Sequence, residues 1–252
     1  VKIKLIVPRP LDQGDEAALA SRFPPDAIGP SIEIAAVGVE RATRLGDEYE
    51  ETLRAVAVVA AGADAEEDGF DAVVIDSVLD PGLYALRSRL SIPVVGPGLA
   101  AYSVALTLGL RFSILSLDPD ARRGFERTLR LYGLEDKCAS VRPAPDFADE
   151  TLSDDAAGLR PALLAEGRAA VTQDRAEVIV LGATHLHGTA RELAQALECP
   201  VLDPGVIAIQ IAERLRLLGL SHSKAAFPAP KRIQDAKLLG LLTHGQAPGP
   251  AS

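Results

Sequence analysis

Tryptophan is absent from the 252 residues, and aromatic residues make up only 4% of them. A core of this chain must therefore be built from Ala, Leu, Val and Ile. Cysteine is nearly absent too. Cys138 and Cys199 lie far apart, with no spacing that suggests a zinc knuckle or a disulfide framework. Such usage fits a reduced, cytoplasmic compartment. No apolar run reaches the ~20 residues that span a bilayer, so no membrane association is expected. No basic segment followed by an apolar one opens the sequence, so secretion by a signal peptide is not expected. Positive charge is in short supply. The net charge of −9 and a pI near 5.0 oppose phosphate backbones, which argues against nucleic acid as a partner. What is present is ordinary globular material, 48% hydrophobic and 24% charged, which excludes disorder as the main state. The length allows one large α/β domain or two small lobes.

The apolar runs are short and rich in β-branched residues. They predict strands at Lys2–Val7, Ile32–Val37, Asp71–Ile75, Ile92–Val95, Arg111–Leu117, Ala139–Arg142, Ala176–Leu181 and Pro200–Leu202. Helical patterns lie between them. One runs over Asp47–Ala60, with acidic residues in its first turn. Another runs to Tyr132 from Asp118-Pro119, read as an N-cap followed by a first-turn proline. Further helices are expected at Ala156–Gln173, Thr189–Leu197 and Val206–Leu218. Strands alternating with helices give a parallel sheet covered on both faces. The buried strands that end near Ser77 and Gly182 sit in similar settings in the two halves, which suggests an internal duplication with both strand ends facing one cleft. The tail from Ser221 reads as extended packing that frays after Gly245, with His222 and His244 solvated.

Ligands of open α/β sheets bind beyond the carboxyl ends of the strands, so the candidate residues are those at strand ends. Asp76 is either a buried carboxylate with a raised pKa or a cap on the next turn. Ser77 either caps the turn before Asp80-Pro81-Gly82 or holds a carbonyl, thiocarbonyl or water. His185 titrates near neutral pH and is the best general acid/base candidate, with Thr184 beside it to hold an anionic group. His185 and His187 read H-x-H, but past the strand rather than on it, and no metal is expected. Gly96-x-Gly98 lacks the third glycine and distal acid of a dinucleotide fingerprint, so no cofactor is expected. Gly98 opens a helix, and its amide nest suits a carboxylate or a ring oxygen. Arg9, stiffened between Pro8 and Pro10, can reach the cleft and pair with a substrate carboxylate. The arginines of 120–130 read as a solvated helix face.

The segments DSVLDPGL from Asp76, PVVGPGLAAYSVALTLGLRFSIL, Tyr132-Gly133-Leu134 with CASVR, VIVLGATHL, and LSHSKAAFPAP in the tail resemble the hydantoin racemases of the aspartate/glutamate racemase superfamily. The resemblance covers nearly the whole chain. It implies an α/β fold of two similar parallel-sheet lobes with the active site between them: residues 1–97 plus 206–225 in the first lobe, 98–205 in the second, and 226–252 as a C-terminal extension. It also implies a cofactor-independent enzyme, a small-molecule substrate and a homo-oligomer. Racemases of this kind place one cysteine after each of two equivalent strands, and the two thiols move a proton on opposite faces of the substrate. Here those positions read Ser77 and Ala183, the latter in Gly182-Ala183-Thr184-His185, where related racemases read Gly-Cys-Thr-His.

A hydroxyl is a far weaker acid than a thiol, whose reference pKa is about 8.5, and alanine moves no proton. The leading expectation is therefore non-thiol chemistry on a hydantoin-like or thiohydantoin-like ring, specifically hydrolytic desulfuration of an anionic 2-thioxoimidazolidinone. Ser77, His185 and Asp76 would be catalytic, with Arg9, Gly98, Thr184 and Ala183 binding substrate. The alternatives are a racemase or epimerase with substituted bases and a non-catalytic small-molecule binder. Cys138 and Cys199 read as small buried hydrophobes.

Overall fold

A computed structural model describes residues 1–12, 15, 19, 22–39, 47–117, 119–144, 156–184, 186, 188–237 and 240. Its first half runs β1 (Lys2–Val7), α1 (Pro25–Ile28), β2 (Glu33–Gly38), α2 (Glu48–Gly62), β3 (Ala72–Ile75), α3 (Leu83–Arg89), β4 (Val94–Val95) and α4 (Pro97–Leu108). The second half runs β5 (Phe112–Ser116), α5 (Arg122–Tyr132), β6 (Cys138–Pro143), α6 (Ala156–Thr172), β7 (Val178–Leu181), α7 (Thr189–Leu197), β8 (Val201–Leu202) and α8 (Pro204–Leu217).

The strands form two four-stranded sheets, ordered β2-β1-β3-β4 and β6-β5-β7-β8, and the paired strands are parallel throughout. The two orders are one pattern used twice, as the internal duplication requires. Both central pairs are built from short apolar runs, AVVI against IKLIV and VIVL against FSILS. Helices cover both faces of such a sheet, so its strands are mostly apolar rather than alternating; among the buried exceptions, Lys4 pairs with Asp68 and Ser113 bonds Ser140.

The helix after each last strand crosses to the other half. α4 leaves β4 of the first sheet and packs on β5 and β7 of the second, where Ala101, Tyr102 and Ala105 meet Phe112, Ile114 and Val178. α8 leaves β8 and packs on β3 and β4 of the first, where Ala208, Ile209 and Ala212 meet Ile3, Leu5 and Val74. The two helices also pack on each other. Small side chains, chiefly alanine, line these contacts and allow close approach of helix to sheet.

Two expectations are corrected by the structure. The helix expected from Asp118 begins at Arg122, with Ala121 at its N-cap and no side-chain cap; Asp118 itself lies outside the described residues. His222 is not a solvated tail residue. It is partly buried, and its Nε2 accepts the Val94 N–H at 2.7 Å. Burial first, and the charge of Arg87 second, push its pKa down to about 4. The tail carrying it straps the first lobe. Lys224 donates to the carbonyls of Arg87, Ser88 and Leu90 at the end of α3, Phe227 packs on Tyr84, and Asp235 pairs with Arg89. His244 and Gly245 lie outside the described residues. No helix among the described residues is long and apolar enough to cross a membrane.

Candidate active site between the two sheets

β3 and β7 end in the same way. Ile75 pairs with Ile6 of β1, and Leu181 with Leu115 of β5. In each lobe the next residue donates its N–H back to that partner strand, Asp76 to Ile6 O at 2.8 Å and Gly182 to Leu115 O at 2.7 Å. Asp76 and Gly182 are therefore equivalent positions, and so are Ser77 and Ala183. The equivalence stops at the side chains. A Cβ on Gly182 would stand 2.6 Å from Leu115 O and 2.8 Å from Ser116 Cα, so the second lobe has no room for the carboxylate that the first carries at Asp76.

The two strand ends converge on a residue absent from the sequence-based candidates. Arg22 is 8% exposed. It donates through Nη1 to Asp76 Oδ2 at 3.0 Å and through Nη2 to Asp76 Oδ1 at 2.8 Å. Nη2 also donates to the Thr184 carbonyl at 2.8 Å. One guanidinium thus joins the turn after β3 to the turn after β7. Asp76, Ser77, Ala183 and Thr184 are all buried. The Ser77 hydroxyl receives the Leu79 N–H at 3.4 Å. His185 and His187 lie outside the described residues. The cue to Arg22 was Asp76 itself, since a carboxylate closing a buried strand needs a cation.

Arg9 is held by a local partner. Its guanidinium donates to both carboxylate oxygens of Asp15, at 2.8 and 2.9 Å, and to Pro10 O, and about half of its side chain is exposed. The charge of Asp76 lies within range to act on it. A substrate carboxylate reaching Arg9 would have to displace Asp15.

The amide nest at the start of α4 is filled from within. Gly98 and Leu99 donate their N–H groups to Asp80, at 2.9 and 2.8 Å. Asp80 is buried in the DPGL turn, with φ +51°. It also accepts the Tyr132 hydroxyl at 2.7 Å and donates its own N–H to Ser77 O. The anion expected at Gly98 is thus a side chain of the protein rather than a ligand. The same turn explains both glycines: a Cβ on Gly96 would lie 2.5 Å from the Asp80 carboxylate, and one on Gly98 would lie 2.2 Å from Val78 O. In the second lobe the equivalent helix, α8, is capped by its own Asp203, which receives the N–H groups of Gly205 and Val206. Burial outweighs the hydrogen bonds and raises the Asp80 pKa to about 6.

A cleft of about 530 Å³ opens beside the turn after β3, lined among others by Tyr49, Glu51, Leu79, Gly124 and Arg127. Leu79 lies two residues past Ser77, and α5 supplies the opposite wall. The cleft thus adjoins the turn after β3 through Leu79.

Neither cysteine lies at a strand end facing this region. Cys138 starts β6 and donates to Ser140 O, and Cys199 donates to Glu177 O. Burial pushes the Cys138 thiol up to about 11 and raises that of Cys199 as well. Thiolate is the reactive form, so alkylation at pH 7.5 is expected to be slow and to leave most activity intact. Complete, substrate-protectable inactivation on labelling of either cysteine would show that a thiol takes part.

A model of the family described as Asp/Glu/Hydantoin racemase matches residues 18–212. The chain is 34% identical to a hydantoin racemase of Pseudomonas sp. (strain NS671) over 176 residues, 70% of each protein. It is 36% identical to the hydantoin racemase of Rhizobium meliloti over 171 residues, 68% of this chain and 70% of that one. The crystal structure of allantoin racemase from Pseudomonas fluorescens superposes with a TM-score of 0.83 at 29% identity, over 93% of this chain and 99% of that one.

Proposed function

Because the chain belongs to the Asp/Glu/hydantoin racemase family, we propose that it is a cofactor-independent isomerase of hydantoin-type five-membered ureide rings, working with bases other than thiols. The observation that carries this reading is the Arg22 guanidinium, which joins Asp76 and Thr184. That bridge brings the turns that close β3 and β7 close together, which supports a proton transfer from two sides. Asp76, whose oxygens each keep a lone pair beyond the one that Arg22 binds, accepts the proton from the ring carbon beside the carbonyl, leaving an enolate. His185, next to Thr184 in sequence, returns a proton to the opposite face, and the roles reverse for the other enantiomer. Ser77, Thr184 and the strand-end amides hold the ring oxygens while charge develops. Ala183 presents only a methyl group, so the second face depends on its neighbours.

Hydrolytic desulfuration, the leading expectation from the sequence, is not supported by the relatives described above. The racemase alternative is the reading they support. A single assay separates the two. An enantiopure 5-substituted hydantoin in deuterium oxide is expected to lose its circular dichroism while gaining one deuteron at the ring carbon. A thiohydantoin converted with release of sulfide, and no labelling of the ring carbon, would overturn the proposal in favour of water addition. Ser77→Ala and His185→Ala are each expected to lower kcat at least tenfold, about 1.4 kcal/mol of transition-state stabilisation, in protein that remains folded by circular dichroism. Wild-type rates in both would place the chemistry elsewhere.

A further inference from the structure

We propose that Arg22 is a positioning residue that holds the turns after β3 and β7 as one unit, so that the groups on both sides meet the same ring. The proposal rests on the two-sided proton transfer above. Arg22 belongs to neither strand end. It lies in the connection between β1 and β2, 54 residues from Asp76 and 162 from Thr184. Each of its two terminal nitrogens binds an oxygen of Asp76, and one of them also binds the Thr184 carbonyl.

The residues around it fix its place. The Phe23 ring lies 5.1 Å from the guanidinium carbon. Phe23 is itself buried, and its ring edge is 3.4 Å from where a Cβ of Gly205 would stand. The Thr184 carbonyl is 3.1 Å from that same point. Arg22, Phe23 and the turn after β7 are thus wedged against the first turn of α8, the helix that returns from the second lobe to the first.

This arrangement is not the most stable one available. The pair is buried on both sides, and the Arg22 Nε has no hydrogen-bond partner among the described residues. Buried charges with an unmet donor lower stability relative to a packed apolar pair. What the guanidinium provides is a fork that binds two separate turns at once. Lysine, a point charge without that planar geometry, cannot reproduce it. Each lobe has its own sheet, so a small relative movement of the lobes changes the distance across the substrate. Misplacement by about 1 Å is enough to lower a rate ~100-fold.

The test is Arg22→Lys, which keeps the charge beside Asp76. With an enantiopure 5-substituted hydantoin in deuterium oxide, kcat is expected to fall at least tenfold, with KM within about twofold. The ratio of deuterium gained with retention to enantiomer formed is expected to rise at least tenfold. One side still exchanges the proton, but the other no longer stands in place to complete inversion. A fall in kcat with an unchanged ratio would mean a merely structural role and overturn the proposal, as would wild-type kinetics.

Hydrogen–deuterium exchange read by mass spectrometry supplies a measurement that needs no turnover. The peptide covering Thr184 is expected to exchange at least tenfold faster in Arg22→Lys, with β5 unchanged. Unaltered exchange there overturns the crosslink. If wild type neither inverts nor labels any ring offered, the isomerase reading falls, while this exchange measurement still decides the role of Arg22. If Arg22→Lys does not fold, the double variant Arg22→Gln/Asp76→Asn removes both charges. Faster exchange of the same peptide then supports the crosslink, and unaltered exchange overturns it.

Discussion

Asp76→Ala is expected to lower the stability of the folded protein by about 3–5 kcal/mol and to abolish turnover, a larger loss than at any other strand-end position. Ser77→Ala, which removes one long hydrogen bond from Leu79 N–H, should be far milder in stability. The difference lies in what is left behind. Without Asp76, Arg22 remains a buried cation with only the Thr184 carbonyl to receive it, and stranding one member of a buried ion pair is more costly than never having had the pair. Urea unfolding at pH 7.5 measures this directly. The double variant Arg22→Met/Asp76→Leu should recover most of the loss, because an apolar pair of similar volume fills the site without a stranded charge. It should not recover all of it. The Thr184 carbonyl loses its donor, which costs about 1–3 kcal/mol if no water replaces it. Equal stability of Asp76→Ala and Ser77→Ala would mean that the Arg22–Asp76 pair does not contribute as its burial requires.

The parts of this site that the sequence disclosed are those with a local signature. AVVI and VIVL are short apolar runs that stop at polar residues, so β3, β7 and the turns carrying Asp76, Ser77, Ala183 and Thr184 were legible. Their similar settings suggested the duplication, and the two sheets of identical order bear it out. Arg22 had no such signature. It is a helical residue whose partners are far away in sequence. Pairing over such distances leaves no period to read. The Gly98 nest was visible as a glycine opening a helix, but its occupant was not. Asp80 reaches it only because the DPGL turn takes a left-handed residue at Asp80, a conformation set by the packed turn rather than by aspartate's own preference. Helix α3, Leu83–Arg89, was absent from the expected helices because seven residues after Pro81-Gly82 give too little periodicity to mark it. The tail shows the opposite case. Its proline-rich sequence suggested extended packing; the tail does pack on the first lobe, but with a turn at 224–226 and helical residues at 235–237, and nothing local indicated that His222 would accept a hydrogen bond from β4.

Asp80→Asn is expected to change how stability depends on pH, and the sign follows from the direction of the shift. The folded-state pKa of Asp80 is raised to about 6 from 3.8, with burial as the largest cause. The folded protein therefore holds this proton more tightly than the unfolded chain does. Its contribution to stability is fully present below about pH 4 and is lost as pH rises through 6. The full difference is about 3 kcal/mol at 1.36 kcal/mol per unit. His222 acts in the opposite direction. Its folded-state pKa is lowered to about 4 from 6.5, so its contribution is present above pH 6.5 and lost as pH falls through 4. In wild type the two linkages oppose each other between pH 4 and 6.5, and the stability curve there should be shallow. Asp80→Asn removes one of them. Its curve should fall more steeply on acidification, and its stability relative to wild type should be higher at pH 7 than at pH 4 by about 3 kcal/mol. Any constant penalty from changing the cap on Gly98 and Leu99 drops out of that comparison, because it does not vary with pH. His222→Gln, which retains an acceptor for the Val94 N–H without titrating, should tilt the curve the other way and make acidification to pH 4 stabilising. Urea unfolding at half-unit pH intervals gives all three curves. Parallel curves for wild type and Asp80→Asn between pH 4 and 7 would mean that the buried carboxylate keeps its ordinary affinity for a proton, and that the amides of α4 and the Tyr132 hydroxyl fully offset its loss of water.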